Sequence, residues 1–226
     1  MLGGRYELRA VEINSRSHVK KSNKKMKPGK FIVFEGIDGS GKGTQILLLA
    51  DYLKKNKIGA VLTKEHTRDL AVGKLIEKTV NREEKMNPLA LQLCFTADRV
   101  DHFEKVIGPA IDEGKIVISD RYYLSTVAYT DRDKKELMMK LNESVVPKAD
   151  LTFFIDVSPE VAIERLDKSR EEKTIFEKYE KLQQSRKNYW WAMRKMKGKV
   201  VVMDGSEKPE IIHENILKIL RRRKII

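Results

Sequence analysis

The feature that most constrains this 226-residue chain is a glycine-rich segment that directly follows a short apolar run. The run Phe31-Ile32-Val33-Phe34 is typical of a buried strand, and a helix-forming stretch begins at Thr44. Between them lies Gly36-x-x-x-x-Gly41-Lys42. Glycines let the backbone wrap around a polyphosphate, and the N–H groups of the loop and of the next helix point at it. The segment therefore predicts a phosphate-binding loop (P-loop), in which Lys42 supplies positive charge for the β- and γ-phosphates.

Strand-like and helix-like segments alternate after residue 30, and this pattern predicts the fold. The apolar, β-rich runs are 31–35, 60–63, 116–119, 151–156 and 199–203, and the helical patterns that follow them are 44–57, 70–80, 122–142, 159–168 and 207–223. An additional helix begins at Asn87-Pro88, runs to about residue 107 and is expected to bury Leu89, Leu93, Val100 and Phe103. The alternation predicts an α/β fold of the P-loop NTPase type: a doubly wound, parallel, five-stranded sheet flanked by helices.

The chain divides by composition into a basic extension, residues 1–29, and a single domain, residues 30–226. Residues 1–30 hold nine Lys or Arg and two Glu, so they carry +7 of the net charge of +13. The extension is either a flexible bystander, with Met26 as a possible start, or an arm that binds nucleic acid or a membrane surface. One cysteine, Cys94, excludes an intramolecular disulfide and suits the cytoplasm, and no apolar run is long enough to span a membrane.

A second cluster of candidate site residues follows the 116–119 run. Asp120 and Arg121 would lie at the carboxyl end of a strand, where ligands bind in open α/β sheets. An aspartate suits Mg²⁺ or its waters, and an arginine can clamp a phosphate. Because Gly43 follows Lys42, the hydroxyl expected to meet Mg²⁺ is displaced to Thr44. Asp38, inside the loop, either orients a second substrate or merely forms a turn, and a surface ion pair is the alternative for Asp120 and Arg121.

The helix that begins at residue 87 carries Phe95, Arg99 and His102 on one face. Phe95 could stack on a base and Arg99 could hydrogen-bond to its edge; the alternative is that the aromatic ring belongs to the core. His102 has no evident partner and is interpreted as structural. Ser125 and Tyr129 share a helical face after Arg121.

Together these residues resemble thymidylate kinases, which are nucleoside monophosphate kinases, over about residues 31–220. The segments that carry the resemblance are Phe34-Glu35-Gly36-Ile37-Asp38-Gly39-Ser40-Gly41-Lys42, Phe95-Thr96-Ala97-Asp98-Arg99, Asp120-Arg121-Tyr122 with Ser125 and Tyr129, Asp156-Val157-Ser158-Pro159-Glu160 and Asp204-Gly205-Ser206. The P-loop alone does not choose among kinases, whereas the combination of Phe95 and Arg99 with the segment from Asp120 to Tyr129 is specific.

The resemblance implies a role for each matching residue. Phe95 would stack on thymine, Arg99 would read its O4 edge, and Tyr129 would pack under the deoxyribose. Arg121 would clamp the acceptor phosphate beside Asp38. ATP would contact Gly36, Ile37, Asp38, Gly39, Ser40, Gly41, Lys42, Gly43 and Thr44, Mg²⁺ would contact Thr44 and Asp120, and the acceptor would contact Asp38, Arg68, Phe95, Arg99, Arg121, Ser125 and Tyr129.

Two departures bear on catalysis. Many family members have Arg-Glu-Pro-Gly where this chain has Lys64-Glu65-His66-Thr67, and Arg68, ahead of Gly73-Lys74-Leu75, is matched to another phosphate-binding arginine of the family. Gly39 stands where some members carry a catalytic arginine, which assigns catalytic charge to a short basic lid at about 168–174. With Lys42, Asp38 and Arg121, the catalytic candidates there are Arg170 and Lys173, besides Lys168.

The expected activity is the ATP- and Mg²⁺-dependent phosphorylation of dTMP to dTDP, by a protein that resemblance predicts to be a homodimer. The alternatives are a kinase for another monophosphate (dUMP, UMP, CMP or AMP) and a P-loop protein that associates with nucleic acid through the basic extension.

Overall fold

The computed structural model describes residues 10–13, 27–131, 133–166, 172–196 and 198–226, with backbone alone for 172–178. The strands are β1 (Val11–Ile13), β2 (Lys30–Glu35), β3 (Ala60–Lys64), β4 (Ile116–Asp120), β5 (Leu151–Asp156) and β6 (Val200–Asp204). The helices are α1 (Lys42–Lys55), α2 (Ala71–Val80), α3 (Pro88–His102), a π-helical turn (Phe103–Ile107), α4 (Gly108–Asp112), α5 (Tyr123–Ala128), α6 (Lys135–Val145), α7 (Pro159–Leu166), α8 (Glu172–Lys195) and α9 (Pro209–Arg222).

The described strands form one sheet in the order β1-β3-β4-β2-β5-β6. The five predicted strands, β2 to β6, are all parallel, which confirms the predicted doubly wound sheet. The sixth strand, β1, was not predicted: it comes from the basic extension and pairs antiparallel with β3 at the sheet edge. Three residues are too few for an alternating pattern to identify a strand.

Strand β2 shows how the sequence builds a core on both faces of the sheet. Phe31 and Val33 point into one apolar cluster and Ile32 and Phe34 into the other, because successive side chains of a strand alternate between faces. The first cluster includes residues of α5 and α8, and the second includes residues of α1 and α9. Helices therefore cover both faces, as a parallel sheet requires.

The central position of β2 places the P-loop at the point where the strand order reverses. β2 pairs with β4 on one side and with β5 on the other, and Phe34 lies beside Asp120 in the register. In open α/β sheets ligands bind beyond the carboxyl ends of the strands at such a point. The P-loop and Asp120-Arg121 therefore share one edge of the sheet, as predicted.

Two predicted helices differ from those observed. The segment 122–142 is two helices, α5 and α6, and the side-chain amide of Asn188 donates to the carbonyls of Ala128 and Thr130 where α5 ends. In α3, Leu93 is 44% exposed, so the prediction that it is buried was wrong. The buried face of α3 is polar, and it consists of Gln92, Thr96, Asp98, Arg99 and His102. An apolar periodicity cannot reveal a face that is buried against other polar groups.

We expect removal of residues 1–26 to lower the free energy of unfolding by about 1–2 kcal/mol, because it removes the three paired residues of β1. The truncation also removes the contact of Glu12 with Lys115 and the packing of Ile13 on the core. Urea unfolding followed by circular dichroism measures the change. Unfolding curves that coincide for the full and truncated chains would show that the extension is a bystander.

Candidate active site

Lys42 is held inside the P-loop by the backbone of the loop itself. Its Nζ donates to the carbonyls of Gly36 at 2.9 Å and of Ile37 at 3.0 Å, and the residue is only 6% exposed. Burial, and after it the positive charge of Arg121, lowers the pKa of Lys42 to about 8. The ammonium group is therefore poised to gain stability from any anion that enters the loop.

Arg121 joins the P-loop to the segment that follows β4. Its Nη1 donates to the Gly36 carbonyl at 3.2 Å, to Ser125 Oγ at 2.9 Å and to the Tyr189 hydroxyl at 3.2 Å. Its Nη2 donates to Asp38 Oδ1 at 2.5 Å. The guanidinium is thus fixed between the loop, α5 and α8.

The guanidinium of Arg121 also affects the charge of Asp38 and packs against Tyr129. It lies over the Tyr129 ring, 5.4 Å from the centroid, and its charge holds the pKa of Asp38 below the ordinary value. Asp38 therefore stays ionised at neutral pH although it borders a phosphate loop. The structure brings together four predicted residues here: Asp38, Arg121, Ser125 and Tyr129.

Glu35 is a functional residue to which sequence reasoning assigned no role. It is completely buried at the end of β2 and accepts hydrogen bonds from the Tyr122 and Ser125 amides at 2.9 and 3.2 Å. It also accepts from Ser125 Oγ at 2.6 Å and from the Tyr189 hydroxyl at 3.0 Å. Burial raises the pKa of Glu35, and the hydrogen bonds oppose the rise. The sequence signal was its position directly before Gly36, within a segment that carries the family resemblance.

A cavity of about 650 Å³ opens beside these residues, within the usual size range of small-molecule sites. Asp38, Arg121 and Tyr129 line it, and so do Phe95 and Arg99. The predicted phosphate residues and the predicted base residues therefore face one space. The His66 ring meets the Phe95 ring edge-on at 5.6 Å between centroids.

Arg99 forms part of the cavity wall from a buried position. It is 1% exposed, and its Nε and Nη2 contact Glu65 Oε2 at 2.7 and 2.6 Å. Nη1 donates to Asn142 Oδ1 at 2.6 Å, and Nη2 donates to Thr126 Oγ1 at 3.1 Å. The arginine is a fixed wall of the cavity rather than a mobile surface cation.

His102 has partners that the sequence could not name. Its Nε2 lies 2.6 Å from Thr63 Oγ1, and its Nδ1 lies 3.4 Å from Glu65 Oε1. The ring is 1% exposed and does not line the cavity. Its interpretation as a structural residue is consistent with this placement.

The candidate Mg²⁺ residues fit a cation in part. Asp120 is 8% exposed; its Oδ2 lies 3.4 Å from Lys64 Nζ, and its Oδ1 is buried without a hydrogen-bond partner among the described residues. A buried carboxylate oxygen of this kind suits a cation or the waters around it. Thr44 is exposed in the first turn of α1. The described residues contain no group of three His, Cys, Asp or Glu that could hold a metal without help, so substrate phosphates and water would complete the shell.

Comparisons with known proteins agree with this geometry. The thymidylate kinase family model matches residues 34–216. The chain is 37% identical over 197 residues to a probable thymidylate kinase of Methanosarcina mazei, covering 84% of this chain and 94% of the relative. It is 36% identical over 200 residues to that of Thermococcus kodakarensis, covering 84% and 96%.

Solved thymidylate kinase structures are also similar. That of Ehrlichia chaffeensis has a TM-score of 0.65 at 30% identity and covers 86% of this chain and all of the other. That of Candida albicans, described as having broad substrate specificity, has a TM-score of 0.70 at 22% identity over 88% and 93%, which shows the fold. The chain belongs to the thymidylate kinase family. The predictions of a nucleoside monophosphate kinase and of dTMP phosphorylation are confirmed at this level, and the alternative functions are not favoured.

Arg165 is a cation of this thymidylate kinase family member that sequence reasoning missed. Its Nη2 donates to the Gly205 carbonyl at 2.9 Å, and its Nη1 lies 3.5 Å from the Ser40 carbonyl. It therefore reaches from the end of α7 over the P-loop to the loop after β6. Gly39 has φ 81°, and a Cβ there would lie 2.4 Å from the Ala162 carbonyl of α7, so the loop admits no side chain at this position.

Arg68 is described by the structure but does not line the cavity, whereas the predicted lid side chains fall outside the described ones. Arg68 is 3.6 Å from Glu77 Oε1, its side chain is 45% exposed, and it does not line the cavity. Lys168 and Arg170 lie outside the described residues, as does the side chain of Lys173. The predicted lid at 168–174 overlaps α8, which begins at Glu172.

We expect Glu35→Gln to lower the free energy of unfolding by about 2–3 kcal/mol. In the parent protein, hydroxyl and amide groups donate hydrogen bonds to the carboxylate of Glu35, and in the variant the side-chain amide would point two N–H donors at some of these donors. Guanidinium unfolding measures the change, with the exposed Glu136→Gln as a control that should barely shift the curve. Equal stability of the two variants would contradict the anchoring role of Glu35.

Proposed function

We propose that this chain transfers the γ-phosphoryl group of ATP to the 5′-phosphate of dTMP, with ATP on the P-loop and dTMP in the cavity. The observation that carries the proposal is the contact between Arg121 and Asp38. One guanidinium touches the P-loop at Gly36 and also lines the cavity that contains Phe95 and Arg99. An acceptor phosphate beside Arg121 would therefore lie next to the end of a polyphosphate on the loop.

The donor side of the reaction is supported by fixed positive groups. The N–H groups of residues 36–44 and the N-terminus of α1 would bind the phosphates, with Lys42 at the β- and γ-phosphates. An oxygen of the acceptor phosphate attacks the γ-phosphorus as its bond to the β–γ bridging oxygen breaks, which yields ADP and dTDP. Mg²⁺ held by Asp120 and Thr44 would neutralise phosphate charge, and Arg165 and the lid candidates Arg170 and Lys173 would add positive charge above the loop.

The acceptor side of the site matches a thymine nucleotide. Phe95 offers a ring for stacking, and Arg99 carries only N–H donors, which suit the keto oxygen of thymine and not the amino group of cytosine. Tyr129, whose ring packs against the Arg121 guanidinium, would lie under the deoxyribose. Ser125, bonded to both Glu35 and Arg121, fixes the clamp rather than the base.

We also propose a cellular location and an oligomeric state for the enzyme. We assign it to the cytoplasm as a homodimer, and we place the predicted basic extension, residues 1–29, outside the catalytic function. No helix in the described part of the chain is long and apolar enough to cross a membrane.

A panel of nucleoside monophosphates with ATP and Mg²⁺, followed by ADP formation, tests the proposal. We expect dTMP to be turned over with the highest kcat/KM, with dUMP next and dCMP far below. Turnover of UMP, CMP or AMP without turnover of dTMP would replace the proposal with another monophosphate kinase activity.

We expect Arg121→Ala to lower kcat by about 10²–10⁴-fold, because the clamp is lost and Asp38 loses its counter-charge. Arg121→Lys should recover only part of the rate, since one ammonium cannot reproduce contacts from two guanidinium nitrogens. Steady-state kinetics at saturating ATP and dTMP provide the measurement. An Arg121→Ala rate within threefold of the parent would remove Arg121 from the catalytic residues.

We expect affinity for ATP to fall as the pH rises above about 8. The pKa of Lys42 is about 8 in the free protein, and bound phosphates favour its charged form, so binding takes up a proton above that pH. Titration calorimetry between about pH 7 and pH 10 should show affinity falling by about three- to tenfold per pH unit above pH 8.5. Lys42→Arg stays charged and should show a flatter profile; equal profiles would contradict the assignment.

A further inference from the structure

The hydrogen bonds of Arg99 leave one donor for a ligand. A guanidinium has five N–H groups, one on Nε and two on each Nη. Glu65 takes the Nε donor and one from Nη2, and Thr126 takes the other from Nη2. Asn142 takes one of the two on Nη1. Among the described residues, the second Nη1 donor has no partner, and Arg99 lines the cavity.

Asn142 accepts one of the two N–H groups of Arg99 Nη1 and leaves the other for a ligand. It lies on α6, is 0% exposed and does not line the cavity. Its own amide is fixed, because Nδ2 donates to the Met138 carbonyl at 2.8 Å and to Thr96 Oγ1 at 3.2 Å. This orientation leaves Oδ1 as the atom that faces Arg99. The amide therefore cannot rotate without breaking two other hydrogen bonds.

The opposite edge of the guanidinium is fixed just as firmly. Glu65 presents Oε2 to the Nε and Nη2 of Arg99, and its Oε1 lies 3.4 Å from His102 Nδ1. The guanidinium also lies over the Tyr122 ring at 5.3 Å. With Glu65 on one edge and Asn142 on the other, the plane of the guanidinium has a single setting.

We propose that Asn142 is a positioning residue for base selectivity: it holds Arg99 so that one N–H of Nη1 faces the base. The proposal deepens the proposed function and rests on it, since it concerns how the dTMP cavity recognises a keto oxygen. Asn142 touches neither the substrate nor the phosphate residues, and it acts only through Arg99.

Removal of the Asn142 side chain should weaken base recognition in particular. Without Oδ1, Nη1 has two unpaired donors in a buried place, and the guanidinium gains freedom to turn about its remaining contacts. A keto group then loses a well-aimed hydrogen bond, whereas the amino group of cytosine never accepted one from Arg99, which has only N–H donors. Discrimination between thymine and cytosine should therefore fall, whereas binding at the P-loop stays the same.

The test measures kcat and KM for dTMP and dCMP with Asn142→Ala and Asn142→Asp. We expect Asn142→Ala to raise KM for dTMP about tenfold with kcat within about threefold, and to lower the dTMP:dCMP ratio of kcat/KM about tenfold. Asn142→Asp keeps an acceptor at the same place and should restore most of the ratio. KM for ATP should not change in either variant.

Met139→Ala is the matched control for general damage to α6. Met139 is 3% exposed on the same helix, and its loss should lower the unfolding midpoint while leaving the dTMP:dCMP ratio unchanged. If Asn142→Ala does not fold, Thr96→Val is the substitute, because it removes an acceptor of the Asn142 amide and leaves the partners of Arg99 in place. It should lower the ratio by a smaller factor.

The outcomes separate the two proposals. A parent enzyme that does not phosphorylate dTMP rejects the proposed function. A parent that prefers dTMP, with an unchanged ratio in Asn142→Ala, or in Thr96→Val where the first variant does not fold, rejects only the positioning role. An equal fall of the ratio in Met139→Ala also rejects it, because it shows that selectivity follows stability alone.

Discussion

The buried carboxylate of Glu35 is the interaction on which the site depends. It lies at the end of the central strand, directly before the P-loop. It accepts four hydrogen bonds, which come from the Tyr122 amide, from the amide and hydroxyl of Ser125 and from the Tyr189 hydroxyl. Leaving such a carboxylate unpaired in the interior would cost several kcal/mol, so the donors must stay in place. One residue thereby fixes the P-loop relative to Ser125 and Tyr189, which in turn hold Arg121.

Arg121, held in place by these contacts, sets the charge state of its neighbours. It keeps Asp38 ionised and helps to keep the pKa of Lys42 low, so three charges stand close together before any phosphate is present. Fixed charges of this kind need no reorganisation when negative charge develops between two nucleotides. Arg99 and Asn142 follow the same principle at the base end of the cavity, where fixed donors select a keto group.

The sequence predicted what local patterns encode. Alternating runs gave the five parallel strands, and spacing placed the P-loop and Asp120-Arg121 at one edge of the sheet. It could not show that Arg99 is paired with Glu65 and Asn142, because these residues are 34 and 43 positions away. Arg165 was missed for the same reason, since only the packing of α7 places it over the P-loop. Strand β1 depends on an open sheet edge rather than on its own residues.

The account requires that ATP and dTMP meet in line beside Arg121, and a single ligand tests this directly. A bisubstrate compound in which adenosine and thymidine are joined through a polyphosphate chain would span the P-loop and the cavity. Calorimetry should show it binding orders of magnitude more tightly than ATP or dTMP alone, because one binding event gains the contacts of both. Affinity no better than that of ATP would contradict the arrangement of the two sites.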